Sequence, residues 1–483
     1  MRAPPTSGRS KKAASTSCCA EMRPVYLSSD IRRIEQAAGN VAPPLMERAG
    51  AAAAELAATL LSDKSKDVLV LAGPGNNGGD AKIVAKLLSE KFFRVTLAEK
   101  PPGQKTYGLI VDGLFGIGLT RPIEGDYAKL VDYVNAQSCP VLALDVPSGL
   151  NADTGQVLGC AVRATHTITF IGIKPGLLTL DGPDHCGEVT VSALGIAPQK
   201  TSHGWIAEPA LFAAALKPRP RNFHKGIAGS LGVIGGAEGM AGAALLAGRA
   251  ALRLGAGRVY CGMLEPLAVD TDALELMLRH PDDVLGLDLD AIVIGPGLGQ
   301  SERAETLLGA VLSSELPCVL DADALNLIAE NEDLRKSCAR RKADTLVTPH
   351  PAEAGRLLAE TTAHVQSDRL KAARALSTNL NAHVVLKGTG SVLVARDGHW
   401  FVNTSGNPGM ASAGMGDVLA GILGTLLAQK YSGETALVLG THLHGRAADE
   451  CVKAGAGPVG LVASELIDPA RRIWNGWLDG SRG

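Results

Sequence analysis

The stretch "AGMGD" (413–417) runs straight into "VLAGILGTLLAQ", an apolar segment at helical spacing. A hydroxyl attacks a phosphoryl group well only when its proton is taken and the developing charge meets oriented donors. This turn offers both: the N–H groups of Gly414 to Gly416 face an anion at a helix start, and Asp417 stands beside them as a base. The competing reading is a glycine loop whose aspartate merely caps the helix. A second set of chemistry-bearing residues lies in the first half. "VLAGPGNNGGD" (70–80) follows a strand pattern and opens a helix, so its glycines turn N–H groups toward a phosphate, although tight strand-to-helix turns use glycine in any case. It is neither G-x-G-x-x-G nor G-x-x-x-x-G-K-[ST]. "VDGLFGIGLTRP" (111–122) and "LDVPSG" (144–149) each end an apolar strand with an acid and a small-residue turn. Neighbouring strand ends of an open parallel sheet share one crevice, where Asp112, Asp145 and Ser148 could converge with Asn77. Such oxygen donors suit a hard cation as readily as acid/base work.

Other residues carry two readings. His350 in "TPHP" sits at a strand end, as a ligand contact or as a loop-stabilising hydrogen-bond partner. Asp321 and Asp323 in "LDADALN" could form a magnesium pair or cap a helix starting at Ala324. His442 and His444 alternate too closely to share a helix face, which argues against a metal site there. Lys174 in "GIKPG" lies beside the first crevice or in solvent.

The elements that must position these residues alternate along the chain. "DVLVLAG", "RVTLAE", "GLIVDGLFG" and "PVLALDVPSG" are strand-like, and "GGDAKIVAKLLSEK" is helical. Buried strands with helical crossovers make a parallel sheet. Pro218 and Pro220, alternating with basic residues, mark a boundary, after which a second series begins: "GSLGVIGGAEG", "AGRVYCGML", "AIVIGPGLG", "PCVLDADAL", "DTLVTPH" and "HVVLKGTGSVLVA". The expected organisation is a disordered leader over 1–22, a first α/β domain over 23–205, a linker over 206–222 and a second α/β domain over 223–483, the two folding independently. Alternative readings of the leader are a transit peptide or a start misassigned ahead of Met22.

Composition narrows the class. Lys+Arg 47 against Asp+Glu 49 gives no field to recruit nucleic acid or an anionic membrane, so neither is expected as a partner. No apolar run reaches the length of a membrane span. The nine cysteines lack metal-ligand spacing and read as thiols of a reducing compartment, hence a cytoplasmic protein. A symmetric homo-oligomer is expected.

Together, "GPGNNGGD", "VDGLFGIGL", "DVPSGLNADTG" and "TITFIGIKPGLL" resemble the NAD(P)HX epimerase domain, a Rossmann-like three-layer fold with a mostly parallel sheet. The resemblance implies hydrate substrate bound by Asn76, Asn77, Gly78, Gly79 and Asp80, by the loop Gly116, Ile117, Gly118, Leu119, Thr120, Arg121 and Pro122, and by Asp145 as acid/base. It also implies K+ held by Asn77, Asp112 and Ser148. Ala81 stands where the family commonly has glycine. In the second half, "FHKGIAGSLGVIGG", "GPGLG", "LDADALN", "TPHPAE", "LKGTGSVL" and "AGMGD" are similar to the ADP/ATP-dependent NAD(P)H-hydrate dehydratase domain of the ribokinase-like superfamily. That similarity implies ATP or ADP, with Mg2+, bound by Lys387, Gly388, Thr389, Gly390, Ser391 and Gly416. Hydrate would meet Gly299, His350 and Asp417, with Asp417 as catalytic base. Ala413 replaces a frequent glycine outside the "GMGD" core. The implied function is repair of hydrated NADH and NADPH, one domain interconverting the epimers and the other dehydrating one of them. The rivals are a hydroxyethylthiazole or hydroxymethylpyrimidine type of alcohol kinase fused to a nucleotide-binding module, and a non-catalytic nucleotide sensor or lipid-transfer partner, against which the two intact acids argue.

Overall fold

The computed structural model describes residues 22–39, 41–61, 63–103, 105–197 and 204–480, so the expected leader lies, but for Met22, outside the described residues. In the first half the apolar runs become a six-stranded sheet ordered Val95–Ala98, Val68–Ala72, Leu109–Gly113, Val141–Leu144, His166–Phe170 and Glu188–Ser192. Every pairing is parallel. Successive side chains of a strand point to opposite faces. Accordingly Val68 and Val70 pack under helices Leu45–Leu60 and Asn76–Glu90, while Leu69 and Leu71 pack under Gly125–Asn135. That is the three-layer arrangement anticipated from the sequence.

The second half builds an eleven-stranded sheet. From His383–Leu386 through Thr345–Val347, Cys318–Leu320, Ala291–Ile294, Ser230–Gly235 and Arg258–Met263 to Met277–Arg279, all pairings are parallel. The stretch "HVVLKGTGSVLVA" is a hairpin: its glycines at positive φ, Gly388 and Gly390, reverse the chain into the antiparallel Ser391–Val394, followed by Trp400–Asn403. Helices cover both faces of this sheet, the α/β layering expected from the alternation of strand and helix patterns. Helix Met415–Ala428 is apolar on every side and is therefore buried along nearly its whole length. A Cβ on Gly421 would meet the Ala247 carbonyl at 2.2 Å, so glycine there lets helix Ala241–Arg253 pack close.

Two features cross the expected boundary. Strand Gly204–Ile206 spans it and pairs with Trp400–Asn403 on one side and with Pro24–Val25 on the other. The first described strand of the chain therefore completes the second sheet. One apolar cluster also holds Val146, Leu150, Ile173 and Leu177 of the first half together with Leu320, Leu386 and Val392 of the second. The halves, expected to fold independently, share a core, each buried Leu or Ile contributing about 1.5–3 kcal/mol. Among the described residues no helix is long and apolar enough to cross a membrane.

Candidate active sites

The strand ends of the first sheet open into a cavity of about 720 Å³. It gathers Asn76, Asn77, Asp80, the loop residues Gly116 to Arg121, and Asp145. Gly78, Gly79 and Pro122, expected beside them, are not among its lining residues. A Cβ on Gly78 would fall 1.8 Å from the Gly73 carbonyl, so Gly78 allows close chain approach; Gly79 faces Met46, and Pro122 lies against Gly159. Ala81 is buried with its methyl against Gly113, which is how alanine fits there.

Asp145 takes a left-handed φ of 67° after strand Val141–Leu144, a strained conformation for a residue with a side chain, costing about 1–3 kcal/mol. Its carboxylate accepts from the wholly buried Lys174 Nζ at 2.5 Å. Lys174 Nζ also donates to Thr169 Oγ1 at 2.9 Å and the Phe170 carbonyl at 2.7 Å. Burial, then the charges of Asp145 and Glu35, push the Asp80 carboxyl up to about 7. Glu35, on helix Ser28–Ala38, is raised by burial and by Asp145. The cavity thus holds three acids, Glu35, Asp80 and Asp145, together with Arg32 and Arg121, while Lys174 grips Asp145 from behind, a set able to give and take protons.

Behind the cavity, Asp112 is fully buried and raised by that burial. It accepts Ser148 Oγ at 2.6 Å and the Ser148 N–H at 2.8 Å. Asn77 is buried with both its Oδ1 and Nδ2 unpartnered, and its amide lies beside Gly116. A buried amide with neither polar atom partnered carries a desolvation cost, and its oxygen is of the kind that suits a hard cation.

The second site forms where helix Met415–Ala428 begins. Gly414 caps the helix at φ 86° and Asp417 lies in its first turn. Ala413, before the cap, is exposed. Burial, followed by the charge of Asp321, pushes the Asp417 carboxyl up to about 7, with Lys387 opposing. Lys387 pairs with Asp321 at 3.0 Å and with Glu353 at 3.9 Å. Burial pulls its ammonium down, but Asp321, Glu353 and Asp417 outweigh this and raise it. Gly416 belongs here, since a Cβ on it would stand 3.2 Å from Lys387 Nζ.

Neither aspartate of "LDADALN" caps a helix. Asp321 is taken by Lys387 and by Thr348 Oγ1 at 2.6 Å. Asp323 accepts the Gly299 N–H at 2.8 Å, tying Gly299 to the cluster. Of the two roles weighed for His350 the structure shows the hydrogen-bonding one: Nδ1 accepts from the N–H groups of Ala352 and Glu353 to cap helix Pro351–Leu358, and the ring is half-exposed. Its ring is lowered by burial and by Lys387. Gly388 to Ser391 form the hairpin turn just beyond Lys387. His442 and His444 are buried in helix Gly433–Lys453 and pushed down to about 4 by burial, hence neutral. His442 stacks on Trp477.

Sequence reasoning left Lys174 undecided and missed Glu35 and Glu353. A basic residue one turn past a strand end that neighbours an acid-ended strand was the available signal for Lys174.

This architecture is an α/β enzyme with two separate acid-bearing sites. A family model described as NAD(P)H-hydrate dehydratase matches residues 231–470, and one described as YjeF-related protein N-terminus matches 43–106 and 98–176. The bifunctional NAD(P)H-hydrate repair enzyme Nnr of Escherichia coli (strain K12) is 39% identical, covering 93% of this chain and 94% of that protein. Its namesake in Coxiella burnetii is 37% identical over 94% and 100%. A Bacillus subtilis ADP/ATP-dependent NAD(P)H-hydrate dehydratase, co-crystallised with ATP/Mg2+, is 30% identical with a TM-score of 0.49, covering 55% of this chain and 96% of that one. The chain belongs to the bifunctional NAD(P)H-hydrate repair enzymes. The relatives favour repair over the alcohol-kinase alternative.

Proposed function

We propose that residues 23–205 epimerise the R and S forms of NADHX and NADPHX, and that residues 223–483, joined by a linker over 206–222, dehydrate the S form at the expense of ATP or ADP. The observation that carries this is the presence of two separate strand-end acids, Asp145 and Asp417, in one chain whose relatives over nearly its full length are bifunctional repair enzymes.

In the first site Asp145 exchanges the proton that opens and closes the hydrated ring, oriented by Lys174 and Thr169. The substrate lies over Asn76, Asp80 and the 116–121 loop. The orphaned Asn77 amide supports K+ held by Asn77, Asp112 and Ser148, where it would supply a fixed positive charge under the substrate turn.

In the second site the hydroxyl next to the ring nitrogen attacks the terminal phosphoryl of the nucleotide, and Asp417 takes its proton. The bond from that phosphorus to the nucleotide leaving oxygen breaks. The ring nitrogen's lone pair then expels phosphate, and loss of a proton from the adjacent carbon restores the dihydronicotinamide. A carboxyl near 7 suits a base at neutral pH. Lys387 and the N–H groups of the 388–391 turn and Gly416 face the phosphates, and Gly299 and His350 face the hydrate. Asp321 and Asp323 are already partnered, so Mg2+ is assigned to the nucleotide's phosphates.

The test is absorbance of the dihydronicotinamide band in a mixture of both epimers with ATP or ADP, Mg2+ and K+. Wild type restores the band fully, and Asp145→Ala restores only the directly usable epimer beyond slow spontaneous epimerisation. Nucleotide consumption with no restored band overturns the proposal.

A further inference from the structure

The 388–391 turn rests on the other half of the molecule. Thr179 of the first half is 3% exposed, and its Oγ1 lies 3.0 Å from the Thr389 carbonyl and 2.9 Å from that of Gly390. The Leu180 N–H donates to the same Thr389 carbonyl at 3.2 Å. Arg369, 2% exposed, donates through Nη1 to Thr179 Oγ1 at 2.5 Å and to the Gly390 carbonyl at 3.3 Å, and through Nη2 to the Leu386 carbonyl at 3.0 Å. All these partners are neutral oxygens, and among the described residues no acid pairs with the guanidinium buried under the turn. A Cβ on Gly390 would stand 1.9 Å from the Leu178 carbonyl, so the first half's backbone also dictates the glycine.

The geometry has a chemical consequence. In a trans peptide the C=O and N–H point oppositely. Holding the Thr389 and Gly390 carbonyls toward Arg369 and Thr179 therefore turns the Gly390 and Ser391 N–H groups the other way. A buried cation behind them adds a field that favours an anion in front. Thr179 lies five residues beyond Lys174, the partner of Asp145, so one short segment links both sites.

We infer that Thr179 and Arg369 form a positioning pair by which the first half holds the phosphate-facing turn of the second, so that nucleotide affinity in dehydration depends on a residue of the epimerase half. This rests on the reading that Lys387 to Ser391 contact the nucleotide.

The test uses the full chain. Thr179→Val keeps the shape and removes the hydroxyl; Thr179→Ser keeps the hydroxyl. Losing hydrogen bonds that orient the turn is expected to raise the KM for ATP about tenfold, with kcat and the epimerisation rate changed less than about twofold, and Thr179→Ser restores KM. An unchanged KM in a folded Thr179→Val, or a Thr179→Ser no better than Thr179→Val, overturns the inference. Hydrogen exchange of the wild type with and without ATP separates the two levels. If ATP slows exchange in 387–391 while Thr179→Val is neutral, only the positioning role fails. If 387–391 is unaffected, the nucleotide reading fails and takes the inference with it. Should the valine variant not fold, ATP must slow 176–182 along with 387–391 in the wild type, and slowing of 387–391 alone overturns the pair.

Discussion

The two sites solve the placing of a reactive carboxylate differently. In the first half Lys174 grips Asp145 directly, at 2.5 Å. In the second the lysine is taken by a different acid, as Lys387 pairs with Asp321 at 3.0 Å, and Asp417 is left with a carboxyl lifted to about 7 by burial and by Asp321. The difference follows the work proposed for each. A group that both gives and takes protons gains from a fixed partner that orients it, whereas a base that takes one proton at neutral pH gains from a value near the working pH.

The largest way to break the comparison is Asp417→Asn. Dehydration is expected to fall about 10²–10⁴-fold with epimerisation intact, since a general base contributes that much; separate assays of the two reactions on one preparation check it. Next comes Lys174→Met, which leaves Asp145 beside a site emptied of its cation. Breaking such a pair costs about 3–5 kcal/mol, so urea unfolding should show a loss of that order, partly recovered in Lys174→Met/Asp145→Asn. The corresponding sharpening in the second site is a pH profile. Dehydration kcat/KM is expected to rise through about pH 7 as Asp417 ionises, and in Asp321→Asn, which removes a charge that raises Asp417, the limb moves to lower pH. The smallest effect concerns stability. The Asp80 carboxyl sits near 7 when folded against 3.8 ordinarily, so its contribution is complete below about pH 4 and is lost as pH rises through 7. Asp80→Asn should therefore flatten the decline in unfolding free energy between about pH 4 and 7, measured by denaturant titration, and a decline as steep as the wild type's would remove Asp80 from the account.

What the sequence disclosed and what it hid follow one line. Strands such as Val68–Ala72 and Leu109–Gly113 were legible because an unbroken apolar run bounded by glycine has few other uses. Acids at their ends were legible for the same reason, since parallel strands bring their C-termini to one crevice. Asp321 was misread as a possible helix cap because a cap is local, while the group that claims it lies 66 residues away. Glu35 carries no local mark of its partners, and only the packed fold brings it to the cavity, while the position of Lys174 past a strand end hints at Asp145 without fixing the contact. The hairpin at 383–394 was compressed into one run because its two-glycine reversal also reads as a phosphate loop. Gly204–Ile206 is three residues long, too short for any periodicity, and its pairing with a strand near the other end of the chain is a tertiary fact.

That short strand has a practical corollary. Pro24–Val25 covers the outer side of Gly204–Ile206, whose inner side is spent on Trp400–Asn403. Trimming the chain past residue 25, or expressing the second half alone from about residue 204, would uncover a row of unpaired backbone groups at a sheet edge, an invitation to self-association. A soluble fragment of the dehydratase half therefore calls for keeping Gly204–Ile206 and supplying residues 22–27 in trans as a peptide, since starting after Ile206 only moves the uncovered edge to Trp400–Asn403.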